Sequence, residues 1–119
     1  MLIKHLNDCP EFEAGDKTIL KEVAHPHNDA WPIGYSLAHA RLPIGGASLP
    51  HRLNSSELYY ILAGEGLMHV DGEAKKVTAG TVLLVPETAE QYIENTGSGE
   101  LLFLCIVEPF WQEVDEQIG

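Results

Sequence analysis

The sequence predicts an all-β fold, a sandwich or closed barrel of short strands, and three observations carry that reading. Segments rich in β-branched, aromatic and aliphatic residues recur at short spacing. Gly, Pro, Asn and Asp punctuate them. No long stretch keeps the 3.6-residue apolar period of an amphipathic helix. Strands this short and numerous do not make one flat sheet, because a sandwich or barrel covers edges that an open sheet would leave unpaired.

In chain order, strands are expected at residues 18–23, 35–42, 58–63, 66–70, 74–78, 81–85, 91–95 and 101–107. Between the fourth and fifth of these the turn chemistry is explicit: Asp71-Gly72 separates Met68-His69-Val70 from Glu73-Ala74-Lys75, a hairpin signal of the kind that needs positive φ. Gly45-Gly46, Gly64, Gly80 and Gly97-Ser98-Gly99 mark further corners. Pro43, Pro50, Pro86 and Pro109 fall between strands, where a missing backbone donor is tolerated. After Pro109, residues 110–117 read as a short helical turn or a packed tail. The adjacent Phe110 and Trp111 are expected to dock on an apolar surface, either of this barrel or of a second subunit.

A chain of 119 residues fits one domain, with the barrel core at about 18–107, an N-terminal arm and an acidic C-terminal tail. Its 45% hydrophobic and 21% charged residues are ordinary for a globular protein, and no apolar run approaches the roughly 20 residues that span a bilayer. Lys4, His5 and Asp8 interrupt the region where a signal peptide would be apolar, so a cytoplasmic location is expected. Cys9 and Cys105 form no C-x-x-C pair and are expected to stay reduced. Eighteen acidic against seven basic residues give a net charge of −11, which repels phosphate backbones and anionic lipid and argues against nucleic-acid or membrane partners. The C-terminal Glu113, Asp115 and Glu116 are read as part of this solubility charge, without a role of their own.

The stretch from Gly45 to Gly64 carries the chemistry. His51 and Glu57 lie near the edges of neighbouring strands, and imidazole with carboxylate is a common first shell for divalent iron, manganese, nickel or zinc. The stretch resembles the first motif of the cupin superfamily, Gly, five residues, His-x-His, three or four residues, Glu, six residues, Gly, with Gly45, His51, Glu57 and Gly64 on the pattern. The second cupin motif, Gly, five residues, Pro-x-Gly, two residues, His, three residues, Asn, is matched by Gly80, Pro86 and Asn95, with Thr88 in place of Gly and Gln91 in place of His. The resemblance covers residues 45–95, and the strand at 101–107 sits where a small cupin has its last barrel strand. It implies a cupin-type double-stranded β-helix, or jelly-roll barrel, with metal ligands at positions 51, 53, 57 and 91.

Those positions hold His51, Leu53, Glu57 and Gln91. Alternation puts Leu53 on the face of His51, so an apolar side chain points where imidazole is expected. Gln91 offers only a neutral amide oxygen, a harder donor that favours manganese or ferrous iron over copper or zinc. Two readings stand side by side. One is a small cupin holding a divalent metal through His51, Glu57 and Gln91 and acting on or sensing a small organic molecule. The other is a metal-free pocket lined by Leu53, Tyr59, Phe103 and Gln91. Cys105 shares a strand face with Phe103 and is either a buried hydrophobe or a thiol facing the cavity.

The other histidines have less to say. His25-Pro26-His27 reads as a surface loop, His39 as a packing or interface residue with a substitute ligand role left open, His69 as exposed, and His5 as unpartnered. No Gly-x-Ser-x-Gly elbow, P-loop or dinucleotide fingerprint occurs. Since small single-domain cupins usually pair, the resemblance also implies a homodimer, with Phe110 and Trp111 the expected cover.

Overall fold

The computed structural model describes residues Met1–Gly119, and its regular structure is almost entirely strand. In order they are β1 (Glu11–Glu13), β2 (Ile19–Ala24), a helical turn α1 (Pro26–Asp29), β3 (Ser36–Leu42), β4 (His51–Leu53), β5 (Ser56–Ala63), β6 (Glu65–Val70), β7 (Glu73–Thr78), β8 (Val82–Val85), β9 (Gln91–Asn95), β10 (Leu101–Glu108) and β11 (Glu116–Ile118). Six strands form one sheet in the order β1-β2-β3-β10-β5-β8, and five form the other in the order β11-β4-β9-β6-β7. Every pairing is antiparallel. The all-β jelly-roll expectation is met. No helix is long and apolar enough to cross a membrane.

All eight expected strands are present with ends shifted by a residue or two, and three were missed: β1, β4 and β11. Each is three residues long, too short for a period-2 pattern to register. The Asp71-Gly72 turn forms as expected, with φ of 48° and 82°, both positive as a tight hairpin requires. Gly64 is fixed by crowding as well as by its φ of 92°, since a Cβ there would lie 2.5 Å from the Glu100 carbonyl oxygen.

Alternation sorts the side chains. On β5 and β10, Tyr59, Ile61, Leu101 and Phe103 face inward and join Leu42, Met68, Val77 and Ile93 in the hydrophobic core. Burying a side chain of that size contributes about 1.5–3 kcal/mol, so this cluster is what holds the two sheets together. Cys9 and Cys105 are both buried and unpaired.

The tail takes the first of the two expected courses. Phe110 and Trp111 dock on their own barrel: the Phe110 amide donates to the Gly34 carbonyl and the Trp111 amide to Ser36 Oγ, each at 2.9 Å. Both aromatics are thereby partly buried against their own chain. Glu116, read as solubility charge, instead starts β11, which pairs with β4 and lays Ile118 beside His51.

Candidate functional site

Strand register divides the barrel interior. Leu101 pairs with Leu42 at one end of β10, and Val107 pairs with Ser36 and Glu57 at the other. The first end is filled by the core. The second opens into a cavity of about 470 Å³ that receives His51 and Leu53 from β4, Glu57 and Tyr59 from β5, and Phe103 and Cys105 from β10. Leu53, Tyr59, Phe103 and Cys105 reach the cavity and Gln91 does not, and Tyr59 stacks on Phe103 with ring centroids 5.5 Å apart.

His51 is oriented by its own loop. Its Nδ1 lies 2.8 Å from the Leu49 carbonyl oxygen; a carbonyl only accepts, so Nδ1 carries a proton, and Nε2 points away from that loop. Facing Nε2 at 3.7 Å is Asp16 Oδ2. Asp16 belongs to the turn between β1 and β2, where its other oxygen accepts from the Thr18 amide at 3.1 Å and hydroxyl at 2.6 Å. The turn is tied to the β4 approach by the Leu49 amide donating to the Asp16 carbonyl at 2.7 Å.

Glu57 is the most unusual group. It is only 7% exposed, and its Oε1 has no hydrogen-bond partner at all. Burial pushes its carboxyl up to about 7, against the opposing pull of His51 and of hydrogen bonding from Cys105 and Gln91. Burial also holds the Cys105 thiol and the Tyr59 hydroxyl well above their usual range, with Glu57 adding to both. At neutral pH both stay protonated.

Gln91 is buried beside this group, yet it stands behind the cavity wall and not in it. Its amide oxygen accepts from the Tyr59 hydroxyl at 2.5 Å. Its strand position nonetheless pairs it with His51. No three His, Cys, Asp or Glu side chains gather closely enough to hold a metal ion among themselves.

Three contributors escaped the sequence: Asp16, Glu116 and Trp111 line the cavity from the two chain termini. Burial raises the Glu116 carboxyl, partly offset by His51, and its Oε2 accepts from the Trp111 indole at 3.4 Å. The turn signal at Asp16-Lys17-Thr18 was available, but nothing local ties it to position 51. With Glu13, Glu22 and Glu113 the lining carries six carboxyl groups, against His51 as its sole basic residue.

The remaining histidines lie outside the cavity lining. His39 pairs with Lys21 and Leu104 across the six-stranded sheet, beyond reach of a substitute ligand role. His25 is not on a surface loop: it is buried, accepts the His27 amide to cap α1, and its Nε2 sits 2.8 Å from the Trp111 carbonyl, which anchors the tail. His69 is not freely exposed, since it stacks on Tyr92 and meets Glu94 at 2.6 Å. His5 accepts the Asn7 amide.

Two antiparallel sheets closed around an end cavity, with His51 and Glu57 on the inner strand edges, define a barrel of the cupin type. The chain belongs to the cupin domain family, whose model matches residues 38–107. An uncharacterized protein of Methanocaldococcus jannaschii is 38% identical over 104 residues, 87% of this chain and 82% of that protein. The oxalate-binding protein of Thermotoga maritima is 37% identical over 71 residues, 59% of each chain. Among solved structures, a predicted oxalate decarboxylase from Thermotoga maritima superimposes with a TM-score of 0.78 at 24% identity, covering 91% of this chain and 99% of that one.

Proposed function

We propose that the cavity binds a small organic molecule and presents Glu57 to it as a buried acid able to exchange a proton, with His51 beside it and no resident metal. The observation that carries this reading is Glu57 itself, a carboxyl on the cavity wall with one oxygen lacking any partner. A buried polar atom without a partner costs about 1–3 kcal/mol, and a bound donor group would recover it. A carboxyl near 7 is also poised to give or take a proton at neutral pH.

A second reading, a divalent ion on His51, Glu57 and Gln91 with manganese or ferrous iron favoured, draws support from the His51 tautomer. Nδ1 bonded to a carbonyl with Nε2 free is how metal-binding imidazoles are held. Against it, Leu53 supplies no donor and the Gln91 oxygen already serves Tyr59, so the fit to a resident metal is poor. Oxalate, the ligand named for one relative, is also ill matched to this chain, because a dianion would face six carboxyl groups with no lysine or arginine in the lining.

Elemental analysis of protein purified without a histidine tag, followed by a thermal-shift screen of small organic molecules, tests the two readings together. The expected outcome is metal well below one per chain, and ligands whose stabilisation is reduced in Glu57→Gln. Stoichiometric manganese or iron that is lost in His51→Ala would replace the first reading by the second.

The chain is further proposed to form a homodimer, through a different surface from the one the sequence indicated. The outer face of the six-stranded sheet leaves Tyr60, Leu62, Val82, Leu84 and Ile106 exposed, Leu84 at 62%. The outer face of the other sheet mixes Leu67 and Tyr92 with Arg52, His69, Lys76 and Glu94. A contiguous apolar face of this kind is covered most simply by its own two-fold copy. Light scattering should give twice the chain mass at micromolar concentration and the single-chain mass for Leu84→Glu; a monomeric wild type would refute the pairing.

A further inference from the structure

The charge pattern of the cavity narrows its ligand. Glu13, Asp16, Glu22, Glu57, Glu113 and Glu116 line it, and no lysine or arginine does. Some of these acids are already engaged: Glu13 with Lys17 and Glu22 with Asn28. With Glu113 exposed, those left facing inward are Asp16, whose Oδ2 lies 3.7 Å from His51 Nε2, half-buried Glu116, and Glu57, which is 7% exposed with Oε1 unpartnered. Carboxylates brought together in a poorly solvated site repel one another, and each stays costly until a positive charge joins them.

The walls between these acids are aromatic and aliphatic. Phe12, Tyr59, Phe103 and Trp111 all reach the cavity, and aromatic faces attract cations. A volume of about 470 Å³ lies within the range of small-molecule sites and far exceeds a bare ion. The chain's net charge of −11 adds a long-range field of the same sign.

We infer that the cavity is selective for an organic cation, a primary or secondary ammonium on a compact apolar body, with the ammonium donating to Glu57 Oε1 and lying near Asp16 and Glu116 while the apolar body packs on Phe103, Trp111 and Leu53. This rests on the reading of the cavity as a small-molecule site and adds the class of molecule. An ammonium suits the three acids because it supplies several donors and a charge at once, whereas an alcohol supplies one donor and a carboxylate supplies none.

Three probes of matched shape test it: cyclohexylammonium, cyclohexanol and cyclohexanecarboxylate, titrated to millimolar concentration into the full chain and followed by chemical shifts of cavity residues and by calorimetry. The ammonium should bind roughly tenfold or more tighter than the alcohol, with the carboxylate weakest. Glu57→Gln and Glu116→Gln should each reduce that preference about three- to tenfold. An alcohol or carboxylate bound as tightly as the ammonium overturns the cation inference while the small-molecule reading stands. A preference unchanged in both variants would trace selectivity to the overall field, and overturns it too. Absence of shifts at cavity residues with all three probes removes both the inference and the reading beneath it.

Discussion

Asn95 and Glu57 are both buried polar side chains on the family's pattern, at opposite ends of the same barrel, and the structure treats them in opposite ways. Asn95 is saturated. Its amide nitrogen donates towards the carbonyls of Leu42, Pro43 and Gly99 at 2.9–3.1 Å, and its oxygen accepts the Gly97 amide at 3.0 Å. Glu57 is left with an oxygen that nothing satisfies. A buried polar group fully bonded to backbone holds loops in place, whereas one left open toward a cavity is a cost to folding that a ligand can relieve. The closed end is thus saturated, and the open end leaves an acceptor facing the cavity.

The largest effect should come from breaking the saturated end. Asn95→Leu removes the bonds that hold three carbonyls and one amide, and should cost about 3–5 kcal/mol in denaturant unfolding. A loss below about 1 kcal/mol would erase the contrast with Glu57.

Glu57→Gln should act in the other direction. The Glu57 carboxyl sits at about 7 in the folded chain against a reference of 4.5. The folded state therefore holds a proton that the unfolded state releases, and stability falls as pH rises from about 4.5 to 7, by about 3 kcal/mol in total. Below that window the wild type and Glu57→Gln should be close; at pH 8 the variant should be the more stable by about 1–3 kcal/mol. The difference between the two proteins is the quantity to follow, since other carboxyls impose their own pH dependence. An equal difference at pH 4 and pH 8 would show that Glu57 ionisation is not what the open end lacks.

A third variant asks what the open end needs to become a metal site. Leu53→His restores the missing imidazole on the strand face that already carries His51, and should tighten manganese roughly tenfold in calorimetric titration if His51 and Glu57 converge. A variant that folds normally and gains no affinity would show that these side chains do not converge, and would strengthen the metal-free reading.

The smallest effect is expected at Thr88, which occupies the glycine position of the second motif with a φ of 67°. A β-branched residue is strained in that region. Its amide donates to the Leu53 carbonyl at 2.7 Å and its carbonyl accepts from Arg52 at 2.8 Å, which locks the backbone there. Thr88→Gly should stabilise the chain by about 0.5–1 kcal/mol in thermal unfolding, strain relief being partly offset by glycine's entropy. Destabilisation instead would mean that the Thr88 side chain contributes more than its backbone costs.

Much of this barrel was written locally. The Asp71-Gly72 hairpin, the alternation that turns Tyr59 and Phe103 inward, and the spacing that sets His51, Glu57 and Asn95 each depend on residues a few positions apart, and a period of two or a turn dipeptide is visible in the chain itself. What sequence could not supply are the relations between distant segments. Asp16 opposite His51, Glu116 and Trp111 closing the cavity from the C-terminus, the burial of His25 against the tail, and the outward placement of His39 follow from how β1, β2 and β11 dock on the barrel. Gln91 makes the point most directly: its residue type permits a ligand, and only the approach of the Tyr59 hydroxyl from the opposite sheet determines that its oxygen is already engaged. Local pattern specifies which face a side chain occupies. Partners across the barrel are a property of tertiary packing, because they depend on long-range register that no short window of sequence contains.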